Sequence, residues 1–76
     1  MAVTIYTTPT CGYCRKAKDY FRENGIQFVE HNVAQDIGKA EEMVRKSGQM
    51  GVPVIDIKGQ IIVGFNLAEI ERALRR

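Results

Sequence analysis

The chain has 76 residues, with 11 lysines and arginines against 9 acids for a formal charge of +2, and it carries only two cysteines. A chain so short buries only about 60% of the surface its unfolded form exposes, yet one cysteine pair is too few for the disulfide framework of a small secreted scaffold. The mild positive charge, its carriers mixed with acids, argues against nucleic acid or a membrane surface as partner, and no apolar run approaches the roughly 18 residues of a membrane span.

Met1-Ala2-Val3-Thr4 enters the fold directly, with no charged segment ahead of an apolar stretch. The expectation is a single domain over residues 1–76, monomeric, in a reducing cytoplasm. Val3 to Thr7 alternates as a strand, and Tyr13, Cys14, Ala17, Tyr20 and Phe21 then recur at helical spacing until Asn24-Gly25 stops the run. Ile26 to Asn32, with Phe28 and Val29, reads as a second strand, and Ile37, Ala40 and Val44 mark a second helix ending at Ser47-Gly48. Val52 to Ile57 and Gln60 to Val63 flank Lys58-Gly59 as a hairpin. Asn66 caps a last helix, with Glu69 in a box-like position and Leu67, Ile70, Ala73 and Leu74 turned inward.

The order is therefore β-α-β-α-β-β-α. Parallel strands need a covered crossover, so this order predicts an α/β fold with a four-stranded mixed sheet flanked by helices on both faces.

Cys11-Gly12-Tyr13-Cys14 lies where the first strand gives way to the first helix. A thiol at a helix N-terminus meets unpaired N–H groups and the positive end of the macrodipole, while a cysteine three residues on lies one turn inside. Thiolate is the attacking form, and thiols in such motifs ionise at about 3.5–7.5 rather than roughly 8.5, each unit being worth about 1.4 kcal/mol. Cys11 is thus the candidate nucleophile and Cys14 the resolving thiol. Arg15, Lys16 and Lys18 add positive charge in the first turns.

The stretch Tyr6-Thr7-Thr8-Pro9-Thr10-Cys11-Gly12-Tyr13-Cys14, Ala17-Lys18 after it, and Gly51-Val52-Pro53 downstream resemble the glutaredoxin family of the thioredoxin fold over essentially the whole chain. The resemblance implies that Pro53 is a cis-proline beside the active site and that Val52 offers its backbone to an extended substrate or to glutathione. It implies that Tyr13 flanks a bound substrate, an ordinary shielding role for that ring being the equal alternative. Gly64-Phe65-Asn66 stands where the family cradles glutathione, with Phe65 narrowing that site and Asn66 and the N–H groups of the last helix able to receive a carboxylate. Three departures accompany these matches: Gly12 stands in place of the usual proline, Thr8 in place of a lysine that assists the thiolate and glutathione, and Phe65 in place of a glycine.

The implied activity is a dithiol–disulfide oxidoreductase that reduces protein or glutathione mixed disulfides, with no tightly bound cofactor and glutathione as a possible cosubstrate. The glycine followed by an aromatic is similar to redoxins that draw electrons from thioredoxin reductase and serve ribonucleotide reductase or a peroxiredoxin. A third reading is a metal or iron–sulfur module, since CxxC is half of a zinc site, but no second pair exists in the chain. Other residues read as ordinary: His31 as solvated or capping; Asp19, Glu23, Glu41, Glu42 and the scattered lysines as solvated helix faces; Met43 and Met50 as packing; Asp56 and Lys58 as exposed; Thr10 reads equally as a turn residue or as a hydrogen-bond partner of the motif backbone.

Overall fold

The structure is a computed structural model that describes residues 3–75; Met1 and Ala2, with the expected entry into the fold, lie outside the described residues. Its elements are β1 (Val3–Thr7), α1 (Gly12–Glu23), β2 (Val29–Asn32), α2 (Ile37–Ser47), β3 (Val54–Ile57), β4 (Gln60–Val63) and α3 (Leu67–Leu74). The expected order holds. One four-stranded sheet runs β2-β1-β3-β4. Strand β1 pairs parallel with β2 from Thr4↔Val29 to Thr7↔Asn32 and antiparallel with β3 from Val3↔Ile57 to Tyr6↔Val54, and β4 closes the hairpin opposite β3.

Alternation along β1 sends its side chains to two different cores. Val3 and Ile5 join Ala17, Phe21, Ile55, Ile57, Ile62, Ile70 and Ala73 in the larger one, under α1 and α3. Tyr6 joins Met43 and Val54 in a smaller one under α2.

Several expectations shift. Strand β2 starts at Val29 rather than Ile26, because Gly25 turns the chain at φ 67 and the Ile26 N–H is drawn to Phe21 O at 2.8 Å. Strand β3 starts at Val54 rather than Val52, after the Pro53 turn. Leu67 is 41% exposed, so α3 presents only Ile70, Ala73 and, partly, Leu74 to the core.

The largest correction concerns α2. Ile37 is 78% exposed and Val44 37% exposed, so the apolar stripe that announces this helix looks outward, with Met50 beside it at 80%. Met43 is the buried residue. Next to it the sheet-facing side carries charge: Glu42 accepts from the Tyr6 hydroxyl, and Lys46 Nζ donates to Tyr6 Oη at 3.0 Å and to Asp56 Oδ2 at 2.9 Å. Glu42 and Lys46 are therefore partners of a buried hydroxyl, and Asp56 is a partner of Lys46, rather than idle surface charges. The Tyr6 hydrogen bond, ahead of Lys39 and Lys46, holds the Glu42 carboxyl down to about 2, and the same network raises the Lys46 ammonium above its ordinary value.

Candidate active site

Strand β1 ends at Thr7, and a short turn carries the chain to the first residue of α1. Cys11 is the N-cap there: its backbone is extended at φ -87, ψ 113, and its Sγ accepts from the Cys14 N–H at 3.1 Å. The nucleophile expected from the sequence thus occupies the place that serine or aspartate takes in most helices. Cys11 is half-buried, and both cysteines are free thiols.

Cys14, one turn further, is 1% exposed. Burial, then its hydrogen bond with Cys11, pushes the Cys14 thiol up to about 12, against the smaller opposing effects of a Thr8 backbone hydrogen bond and the Lys18 charge. At neutral pH this sulfur is a protonated reserve.

The Val52–Pro53 bond is cis, as the resemblance implied. The Cys11 thiol points at Val52 O, 3.8 Å away. Pro53 is buried, and its carbonyl accepts from the Gly64 N–H at 2.8 Å, tying this loop to the end of β4. Gly64 has φ 82, a conformation open to glycine at little cost.

The loop is also braced from the other side. Gln49 accepts from the Gly51 N–H at 2.6 Å and donates to Gly51 O at 3.0 Å, while Ser47 Oγ donates to Met43 O at 2.7 Å. Neither residue reads from the sequence as a brace; a glutamine two places before a glycine is too common a pattern to signal one.

Among the other sequence candidates, Tyr13 is 62% exposed, between the two cysteines in sequence, with the Lys16 ammonium over its ring at 5.1 Å from the centre. Phe65 is half-buried and meets Tyr20 edge-on at 6.3 Å, so part of its ring is packed against the larger core. Asn66 caps α3, its Oδ1 accepting from the Glu69 N–H at 3.2 Å. Lys18 is not directed at Cys11. It binds Glu30 Oε2 at 2.9 Å, and the same oxygen accepts from the buried Thr7 hydroxyl at 2.6 Å. His31 lies against the Tyr6 ring at 5.6 Å.

Cys11, Cys14 and Val52 therefore come together at one end of the sheet, with Pro53 and Gly64 as their frame. Chemically this arrangement, a half-buried cysteine beside a buried one, is suited to two-electron thiol–disulfide exchange. Among the described residues no group of three or more histidine, cysteine, aspartate or glutamate side chains gathers as a metal site, and no helix is long and apolar enough to cross a membrane.

The glutaredoxin family model matches residues 3–62. An uncharacterised glutaredoxin-like 8.6 kDa protein in the rubredoxin operon of Clostridium pasteurianum is 51% identical over 74 residues, 97% of this chain and 99% of that one. Glutaredoxin 3 of Escherichia coli is 42% identical over 62 residues, 82% of this chain and 75% of its own. The solved structure of the glutaredoxin-like protein NrdH-redoxin from Escherichia coli superposes with a TM-score of 0.85 at 30% identity, covering 95% of this chain and 93% of that one. Since the family model spans the dithiol and the cis-proline loop alike, and these relatives align over most of their own lengths, the chain belongs to the glutaredoxin family.

Proposed function

We propose that this protein is a dithiol–disulfide oxidoreductase that reduces protein disulfides and glutathione mixed disulfides through Cys11 and Cys14, acting as a cytoplasmic monomer. The observation that carries the reading is the pairing of a half-exposed sulfur at the cap of α1 with a buried thiol on the next turn.

Cys11 attacks one sulfur of the substrate disulfide, and the other half leaves as a thiolate. Cys14 then loses its proton and attacks Cys11 Sγ. The Cys11–Cys14 bond forms, the mixed disulfide breaks, and the second half of the substrate leaves with the electron pair. The tether between the two thiols gives the second attack an effective molarity on the order of 10⁵ M. Val52 offers its backbone to an extended substrate, Tyr13 flanks it, and Gly64, Phe65 and Asn66 line the neighbouring rim. No tightly bound cofactor is needed; glutathione enters as a cosubstrate.

A second reading concerns the electron source. Thr8 supplies no cation where glutathione's carboxylate would be met, and Phe65 fills space in the rim. Together with the likeness to a redoxin described as thioredoxin-like in activity profile, these favour a thioredoxin reductase as donor, with ribonucleotide reductase or a peroxiredoxin as the class of acceptor.

The test is NADPH consumption with a protein disulfide as acceptor, using glutathione with its reductase in one arm and thioredoxin reductase alone in the other. Turnover in either arm that is abolished by Cys11→Ser supports the exchange, and the arm that works names the donor. Cys14→Ser should stop protein-disulfide reduction while sparing a glutathione-dependent route. Full activity in Cys11→Ser would refute the assignment, and silence in both arms would direct attention to absorbance from a bound iron–sulfur cluster.

A further inference from the structure

The resolving step poses a problem that the dithiol alone does not solve. While Cys11 is engaged in a mixed disulfide, it no longer offers a free thiol partner for the Cys14 hydrogen bond, and in the reduced protein Cys14 is buried. Its thiol must nevertheless ionise before it can attack. Two groups favour the ionised form. From the β1–α1 turn comes the Thr8 backbone hydrogen bond, and from α1 itself comes the charge of Lys18, one helical turn further on the same face.

Lys18 is not left to wander. Glu30 on β2 holds its ammonium at 2.9 Å, and Thr7 fixes that carboxylate from β1 at 2.6 Å. Thr7 is 2% exposed, and the Lys18 side chain is only 22% exposed. The Thr7 hydrogen bond, then Lys18, keeps the Glu30 carboxyl below its usual range, with Arg22 adding a weaker pull. The anchor therefore stays charged throughout the neutral range.

Three elements thus cooperate to fix one cation, carried by the residue one helical turn from Cys14 on the same face of α1. We propose that Lys18, held by Glu30 and Thr7, is a positioning residue that stabilises the Cys14 thiolate as it forms in the resolving attack. The inference rests on the Cys11/Cys14 exchange proposed above and assigns that exchange its charge support. The step is balanced: the Cys14 proton goes to solvent, the Cys14–Cys11 bond forms, the bond from Cys11 to the substrate sulfur breaks, and that sulfur departs with the electron pair.

The test uses a symmetrical aromatic disulfide whose thiolate halves absorb visible light, mixed with the reduced protein in a stopped-flow instrument. Attack by Cys11 releases the first half and attack by Cys14 the second, so the two phases time the two steps. In Lys18→Met the ratio of second to first rate should fall about three- to tenfold at pH 7, as a shift of half a unit to one unit in the second step requires, and the pH midpoint of that phase should rise. In Glu30→Gln, which removes the opposing charge, the midpoint should fall. Lys18→Arg should stay within about twofold of the parent.

A purely structural role would slow the second phase in both Lys18→Met and Glu30→Gln. Movement of the two midpoints in the same direction, or no movement at all while both phases remain, overturns the proposal. Failure of the underlying exchange looks different: a parent protein that shows no second phase, or a Cys11→Ser variant that shows both.

Discussion

Raising the pH of the reduced protein should destabilise it through one buried atom. In the unfolded chain the Cys14 thiol ionises at about 8.5; in the folded chain burial and the Cys11 hydrogen bond push it up to about 12. A group whose folded value is raised contributes stability that is complete below the unfolded value and is lost as pH climbs toward the folded one. The window is therefore about pH 8.5 to 12. At pH 10.5 the unfolded state has gained two units of ionisation at about 1.4 kcal/mol each, while the folded thiol is still protonated, for a loss of about 2 to 3 kcal/mol. With a urea dependence near 1 kcal/mol/M, the low end for small proteins, the midpoint should drop by about 2 to 3 M.

The assay is urea unfolding under a reductant at pH 8 and at pH 10.5, for the parent and for Cys14→Ala. Lysines and tyrosines titrate in both proteins and cancel in the difference. Parallel midpoints in the two proteins would refute the claim that Cys14 is held protonated, and with it the need for any help in the resolving step.

Four further outcomes follow from the described residues. Tyr6→Phe removes a buried hydroxyl that donates to Glu42 and accepts from Lys46, and chemical denaturation should show a loss of about 1 to 2 kcal/mol. Because Glu42 is depressed in the fold mainly by that hydroxyl, its stabilisation is present above about pH 4.5 and lost toward pH 2; the acid limb of the parent should be steeper than that of Tyr6→Phe. Asn66→Ala deletes the cap of α3 and should cost about 1 kcal/mol by thermal unfolding, with Asn66→Asp retaining most of it. Thr8→Lys combined with Phe65→Gly should raise glutathione-dependent turnover several-fold over the parent while leaving the balance of donors otherwise readable in the two-arm assay; an unchanged glutathione rate would show that these two positions do not set donor choice.

The fold was legible because alternation and helical spacing mark element type, and because a cysteine pair placed where a strand gives way to a helix brings its own geometry. Cys11 and Cys14 lie at the strand-to-helix junction as their spacing predicts, Val52 and the cis Pro53 join them as the family resemblance implies, and Gly64 ties their loop to the sheet. Periodicity could not tell which side of α2 faces the sheet. Ile37, Ala40 and Val44 form an apolar stripe, but Tyr6 and Asp56 on the sheet are polar, and they draw Glu42 and Lys46 inward instead. The start of β2 was misplaced because Ile26 and Phe28 are apolar for another reason: they pack against the larger core without pairing to β1. Long-range charge partnerships such as Lys18 with Glu30 join residues from separate elements, and no local pattern carries them.

In the proposed exchange, the atom that ties the first turn of α1 is also the atom that forms the new bond. A serine in the cap position could hold its helix indefinitely, whereas the proposed exchange turns Cys11 Sγ, the acceptor of that cap bond, toward a second sulfur in every cycle. Any part of the cap bond surrendered in that turn is a debit against oxidation, returned on reduction. Helix formation and electron transfer are then two readings of one equilibrium, and a substitution that merely tightens or loosens the start of α1 will shift how readily the protein gives up its electrons.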